Sequence, residues 1–143
     1  MSRITVSIDI DAPRQRVWDE IAVLESHVEW MADAERIDFL TESRSGVGTR
    51  MEVLTVVGPL KTTDVMEFTA WDPPERMAIR HQGIVTGVGE FRLTELDGAR
   101  TRFTWDEELT FPWHLGGAVT ATFAAPVLRR IWMRNLKKLR ARF

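Results

Sequence analysis

Hydrophobic and polar residues alternate along much of the chain, the pattern of β-strands with one buried face. Seven such segments predict strands over residues 3–10, 37–41, 49–57, 61–71, 76–82, 87–96 and 100–111. Asp97-Gly98 between the last two predicts a tight hairpin, because both residues tolerate the positive φ that such turns require. The sequence therefore predicts a mainly antiparallel sheet.

Two regions follow helical spacing instead. After the first strand, Asp11 as an N-cap and Pro13 in the first turn predict a helix start, and a second short helical or turn segment is expected around residues 28–31. Near the C-terminus, one apolar stripe is formed by Leu128, Trp132, Leu136, Leu139 and Phe143. Upstream of it, residues 119, 123 and 127 lie about half a turn away, and Pro126 predicts a kink or an interruption.

Strands joined by short connections, with helices at the two ends of the chain, predict an α+β fold. No repeat, linker or low-complexity segment divides the sequence, so we expect one domain over residues 1–143. A curved antiparallel sheet of about seven strands, wrapped around the long C-terminal helix, would bury the apolar stripe. Such an arrangement often leaves a cavity between sheet and helix.

Several short motifs occur in an order that resembles the SRPBCC superfamily, also called START-like or helix-grip, and within it the polyketide cyclase/dehydrase-like group. The motifs are Ile8-Asp-Ile-Asp-Ala-Pro13 with Val17-Trp18, then Trp30, Gly46-Val-Gly48-Thr49, Trp71-Asp-Pro-Pro74, Gly98 with Thr101 and Trp105, and Asn135-Leu-Lys-Lys-Leu139. The resemblance implies the helix-grip fold with an internal cavity. Its members include lipid and sterol carriers, aromatase/cyclases and ring-oxygenase domains, so it implies no single activity.

The amino-acid composition excludes several kinds of functional site. The 143-residue chain contains no cysteine, which excludes disulfides, thiolate catalysis and zinc–thiolate sites. The N-terminal residues lack the basic-then-apolar pattern of a signal peptide, and the uncharged segment 109–128 is broken by prolines and glycines. We therefore expect a cytoplasmic protein without a transmembrane helix.

Charge is distributed unevenly. The net charge is −2, yet all 21 acidic side chains lie at or before Glu108, while residues 129–143 carry seven basic ones. The basic end is most simply a solvated helix face, and the acidic remainder argues against a nucleic-acid partner. The basic end and the uncharged segment 111–127 could together contact a membrane surface or another protein. A homodimer is a further alternative.

The alternation along each strand, and for three residues their position on the C-terminal helix, selects the residues expected to line the cavity. The candidate ligand-binding residues are Met51, Val53, Thr55, Met66, Phe68, Ile79, His81, Phe91, Leu93, Phe103, Trp105, Glu107, Phe123, Val127 and Ile131. This set is apolar and aromatic with a few polar atoms, a composition that suits a hydrophobic ligand held by one or two polar contacts. The alternative is that these side chains simply fill a core.

Glu107 interrupts the hydrophobic face of the last strand, and His81 lies on the predicted inner face of the short strand 76–82. If the two faced each other, they could act as a catalytic acid and base. The simpler alternatives are that Glu107 forms a structural ion pair with His81 or with an arginine such as Arg50 or Arg80, or that it lies at a strand end open to water. A hydrogen bond to a ligand is a further alternative. The same reasoning applies to Asp64, with less support than for Glu107.

The sequence thus favours binding or transport of a hydrophobic or aromatic small molecule, such as a lipid, polyketide or isoprenoid. A polyketide cyclase/dehydratase using Glu107 and His81 is the first alternative, and a membrane-surface or protein-interaction module is the second. The ring-oxygenase branch of the resembled superfamily binds iron through two histidines and a carboxylate. Here His27, His81 and His114 lie on different predicted elements, so we expect no metal and no cofactor.

Overall fold

The computed structural model describes residues 2–143, apart from the side chains of Leu115 and Ala118. The strands are β1 (Ser2–Ile10), β2 (Ala34–Phe39), β3 (Arg50–Val57), β4 (Leu60–Asp72), β5 (Arg76–Gln82), β6 (Thr86–Asp97) and β7 (Arg100–Thr110). The helices are α1 (Arg14–Ile21), a 3₁₀ helix at Leu24–Glu29, a short 3₁₀ turn at Trp113–Leu115 and α2 (Gly117–Arg140).

The seven strands form one antiparallel sheet in the order β1-β7-β6-β5-β4-β3-β2. Every strand from β2 to β7 pairs with its neighbour in sequence, and β1 closes onto β7. The helix α2 packs mainly against β1. This curved sheet with a C-terminal helix and short helices after the first strand confirms the predicted α+β class.

The alternation along β1 and β7 sets the inner face of the sheet. On β7, the buried side chains are Thr101, Phe103, Trp105, Glu107 and Leu109, and the residues between them are partly or fully exposed. The two strands pair in continuous register from Ser2 opposite Leu109 to Ile10 opposite Thr101. Because side chains alternate across a strand, this register places Glu107 on the same face as the aromatic core.

The start of α1 differs from the sequence prediction, and the interruption that was one of two effects expected at Pro126 is absent. α1 begins at Arg14 with Pro13 in the cap position, and no side chain caps it, so Asp11 is not the N-cap. α2 runs through Pro126 without ending there. The proline removes one intrahelical hydrogen bond, but buried residues on both sides, Ala121 and Trp132, hold the helix on the protein.

The predicted strand 37–41 also begins earlier, at Ala34. An irregularity between Ala34 and Arg36 shifts the β2–β3 register, which hides the two-residue period in the sequence. Among the described residues, no helix is long and apolar enough to span a membrane.

Candidate functional site

A cavity of about 170 Å³ lies between the inner face of the sheet and α2. Leu60 lines it and is also 57% exposed, so the cavity opens to solvent beside the β3–β4 turn. Leu128 and Trp132 of α2 form another part of the wall. The cavity is therefore bounded on one side by α2 and opens to solvent near the β3–β4 hairpin.

Most of the cavity wall is apolar. The hydrophobic lining residues are Met31, Ala34, Ile37, Met51, Val53, Val57, Leu60, Met66, Phe68, Met77, Ile79, Val85, Phe91, Trp105, Leu109, Phe111, Leu128 and Trp132. The remaining lining residues are His27, Asp33, Thr55, Thr62, Asp64, His81, Gly89, Glu90 and Glu107. A wall of this kind suits an apolar molecule oriented by a few polar contacts.

The residues expected at the site divide into three groups. Those that line the cavity are Met51, Val53, Thr55, Met66, Phe68, Ile79, His81, Phe91, Trp105 and Glu107. Leu93 and Phe103 are buried in the core beside it. On α2, Ile131 is half-buried against the core, whereas Phe123 and Val127 are 75% and 50% exposed.

His81 and Glu107 contact each other inside the cavity, with 3.2 Å between His81 Nε2 and Glu107 Oε1. Both side chains are 8% exposed. The two arginines that could have paired with Glu107, Arg50 and Arg80, form ion pairs with Glu67 instead. The carboxylate on the hydrophobic face of β7 therefore has a buried histidine as its partner.

Gly89 leaves room for the contact between His81 and Glu107. It lies on β6 directly opposite Glu107, between β7 and the strand that carries His81. A methyl group at Gly89 would come within 2.8 Å of Glu107 Oε1 and 3.0 Å of its Cγ. The glycine therefore leaves the space that the Glu107 side chain occupies above β6. The β6–β7 register is continuous at this point, so Gly87-Val-Gly89 forms no bulge against β7.

Replacing Gly89 by alanine is expected to push the Glu107 carboxylate away from His81 and to lower the His81 pKa. The physical reason is steric, since neither ionisable group is changed. An NMR titration of the His81 ring measures the effect. Gly98→Ala is the control, because nothing lies within 4 Å of a methyl group at that position. An unchanged His81 pKa in Gly89→Ala would contradict the role given to the glycine.

The charge state of His81 follows from two opposing effects. Burial lowers the pKa of His81, but the carboxylates of Glu107 and Asp64 raise it by more, so the pKa lies above its ordinary value. The imidazole is therefore favoured as a cation beside the Glu107 carboxylate. A histidine of this kind can donate a proton at neutral pH.

Asp64 is the second carboxyl group on the wall and has a different environment. It is 8% exposed, and its Oδ1 is buried with no hydrogen-bond partner among the described residues. Burial raises the pKa of Asp64, the nearby His81 lowers it and Glu107 raises it further, with a net upward shift. Asp64 is thus a buried acceptor whose hydrogen-bonding capacity is unused.

Asp33 is a third carboxyl group, and it was not predicted from the sequence. Asn135 of α2, which is fully buried, donates to Asp33 Oδ1 at 2.7 Å and accepts from the backbone N–H of Ala32 at 3.0 Å. Burial raises the pKa of Asp33, although hydrogen bonds from Asn135 and Trp132 oppose the shift. A polar asparagine on the apolar stripe of α2 was the sequence signal for this contact.

His27 is the other histidine on the wall. Its Nε2 donates to the backbone carbonyl of Ile21 at 2.7 Å, and burial lowers its pKa to about 4. The ring is therefore neutral at physiological pH and carries no charge into the cavity. Among the described residues, no group of three or more His, Asp or Glu side chains has a geometry that could hold a metal ion.

The whole chain matches one protein-family model. Residues 1–143 fit the model described as polyketide cyclase/dehydrase and lipid transport. The chain belongs to this family. No curated protein matches the sequence.

Solved structures share the fold at low sequence identity. The protein TTHA0849 from Thermus thermophilus has a TM-score of 0.84 at 19% identity, covering 98% of this chain and 95% of that one. Zhui aromatase/cyclase from Streptomyces sp. R1128 gives 0.75 at 20% identity, with 98% and 92% covered. A START superfamily protein from Mycobacterium smegmatis gives 0.76 at 12% identity, with 99% and 97% covered. These likenesses confirm the helix-grip fold.

Proposed function

We propose that this family member binds or transports a hydrophobic or aromatic small molecule in the cavity between the sheet and α2. The observation that carries the proposal is the apolar cavity of about 170 Å³. An engineered apolar cavity of about 150 Å³ is large enough to hold benzene. The enclosed part therefore suits about one ring, and a longer lipid, polyketide or isoprenoid would extend through the mouth beside Leu60.

Organic extraction of the purified protein, followed by mass spectrometry, is expected to release an apolar molecule in a near-stoichiometric amount. In Thr55→Trp, an indole ring fills space at the cavity wall, and the amount is expected to fall at least about fivefold. The matched control is Thr63→Trp, because Thr63 is exposed on the neighbouring strand. Equal amounts of ligand from both variants would place it outside the cavity.

Cyclase or dehydratase chemistry is the second candidate, and the His81–Glu107 contact supports it. Their 3.2 Å separation lies within the range over which protons are transferred. In this role the Glu107 carboxylate accepts a proton from a carbon beside a carbonyl group, and the His81 imidazolium donates one to a departing hydroxyl. Turnover of a short poly-β-ketone should then be lost in both His81→Ala and Glu107→Gln, while either variant still binds apolar molecules.

Contact with a membrane surface is supported by a separate observation, the exposed apolar side chains before and along the first half of α2. Trp113 is 87% exposed, Phe123 75% and Val119 65%. Phe111 and Leu128, which flank this segment in sequence, line the cavity. An apolar surface beside the cavity would let a ligand pass between bilayer and protein without crossing water.

Flotation with anionic vesicles tests this contact. We expect Trp113→Ser and Phe123→Ser together to reduce the bound fraction at least about threefold, because two large apolar side chains no longer enter the interface. Thr94→Ser, on the exposed side of β6, is the control. No flotation of the natural chain, or oligomerisation that the double variant abolishes, would instead assign the surface to a protein contact.

A further inference from the structure

Acidic groups outnumber basic ones in the cavity wall. Asp33, Asp64 and Glu107 all line it, and no lysine or arginine occurs among the described lining residues. The basic groups are His81, which is paired with Glu107, and His27, which donates to a backbone carbonyl. The wall therefore carries more acidic groups than basic ones, even with His81 counted as a cation.

The acidic group that lacks a hydrogen-bond donor is Asp64, although His81 lies near enough to interact with it electrostatically. Glu90, a further lining carboxylate, is already paired with Arg76 at 3.0 Å and Arg92 at 2.9 Å. Asp33 is held by the side-chain amide of Asn135. Asp64, in contrast, accepts no hydrogen bond from the described residues although it is 8% exposed.

The bend that follows β5 leaves room for the Asp64 carboxyl group. Its Oδ1 lies where a methyl group at Gly83 would clash with it. The same relation holds for Glu107 and Gly89, so each of these two carboxyl groups lies across a residue without a side chain. Both acidic side chains are therefore fitted into the wall of the cavity, and neither is directed out to solvent.

A buried carboxyl oxygen without a donor is costly, because it is removed from bulk water and gains no hydrogen bond. A ligand that brings a hydrogen-bond donor or a positive charge removes that cost, whereas a ligand with a carboxylate adds repulsion. The described residues offer no grouping suited to a metal ion. A partner that suits both Asp64 and the apolar wall is an organic donor attached to an apolar body.

We propose that the cavity selects an apolar amine in its protonated form, with its ammonium group at Asp64, and rejects apolar carboxylates of the same size. The proposal rests on the proposed binding function and names its ligand class. The ammonium group supplies the donors that Asp64 lacks, and the aromatic or aliphatic body contacts the methionine and aromatic side chains of the wall. A charge-assisted hydrogen bond in a partly enclosed site is the basis of the discrimination.

Three probes with one apolar ring and different polar groups test the selectivity: benzylamine, benzyl alcohol and benzoate. Their binding to the purified protein at neutral pH is measured by NMR titration of the backbone amides of β3, β4 and β5, because Asp64 pairs with Val53 of β3. We expect benzylamine to bind at least about tenfold more tightly than benzoate, with benzyl alcohol between them. Shifts are expected at Asp64 and at the residues paired with it in the sheet.

Asp64→Asn provides the second measurement, since the amide keeps the size of the carboxyl group and removes its charge. We expect the ratio of benzylamine to benzyl alcohol affinity to fall about tenfold in this variant. Asp38→Asn is the matched control, because the Asp38 side chain is 55% exposed and pairs with Arg36 on β2. The ratio should not change in the control.

The outcomes separate this inference from the binding function itself. If benzyl alcohol binds in the cavity and benzoate binds as tightly as benzylamine, the amine selectivity is overturned and the binding function stands. If none of the probes binds and no apolar molecule is extracted from the protein, both are overturned. Selectivity that survives unchanged in Asp64→Asn would overturn the assignment to Asp64.

Discussion

Replacing Trp132 by alanine is expected to lower the free energy of unfolding by about 3–5 kcal/mol, the usual cost of truncating a large buried aromatic side chain. Trp132 is 4% exposed and stacks on Trp105 of β7, with 4.7 Å between ring centroids and 12° between ring planes. One side chain therefore joins α2 to the sheet.

Urea denaturation followed by circular dichroism measures this loss without depending on tryptophan emission. Trp113→Ala makes the same chemical change at a position that is 87% exposed, and its effect should stay within about 0.5 kcal/mol. A loss below about 1 kcal/mol in Trp132→Ala would show that α2 does not pack on the sheet through this residue.

Replacing Glu107 by glutamine is expected to change how stability depends on pH above about 6.5, the ordinary histidine pKa. In the natural chain the His81 pKa is raised, so its stabilising contribution is full below about 6.5 and is lost as the pH rises through the folded-state value. Without the Glu107 charge, burial dominates and lowers the His81 pKa. The variant should therefore lose little or no stability over the same pH interval.

Unfolding free energies of both chains, measured between about pH 6 and pH 9, test this difference. Glu67→Gln is the matched control, since Glu67 pairs with Arg80 outside the cavity and should leave the slope above pH 6.5 unchanged. His27 acts at lower pH: burial lowers its pKa to about 4, so its effect on stability is confined to pH values below about 6.5, the ordinary histidine pKa. Parallel curves for the natural chain and Glu107→Gln would contradict a charged His81–Glu107 pair.

The strands could be predicted well because one face of most of them is buried and the other is exposed. The alternation in β7 predicted that Glu107 lies on the inner face, and Asp97-Gly98 predicted the hairpin that joins β6 to β7. Once the hairpin order is known, His81 on β5 and Glu107 on β7 share a face. Their contact needed one further fact, that Gly89 on the intervening strand has no side chain.

Irregular positions were harder to predict. A register shift between Phe68 and Ala70 reverses the alternation near the end of β4, and Trp71 packs against Phe68 at 5.3 Å and Trp18 at 5.4 Å. A bulge of this kind depends on pairing with the neighbouring strand, and the two-residue period carries no record of it.

The orientation of α2 also depends on tertiary packing. Its two apolar stripes are similar in sequence, yet Leu128 and Trp132 line the cavity while Phe123 and Val127 are exposed. Asp33 lies in a loop with no periodicity, and only its partner Asn135, a polar residue on the buried stripe, marked the position. Periodicity identifies the faces of an element, whereas the choice between two apolar faces is made by the rest of the fold.

A crystal structure of the protein soaked with an aromatic amine such as benzylamine tests the central claim most directly. The account predicts density for the ring inside the cavity, in contact with Met51 and Trp105 and with its polar end near Asp64. A ring bound only on the outer surface, or a cavity closed by repacked side chains with no compound inside, would contradict it.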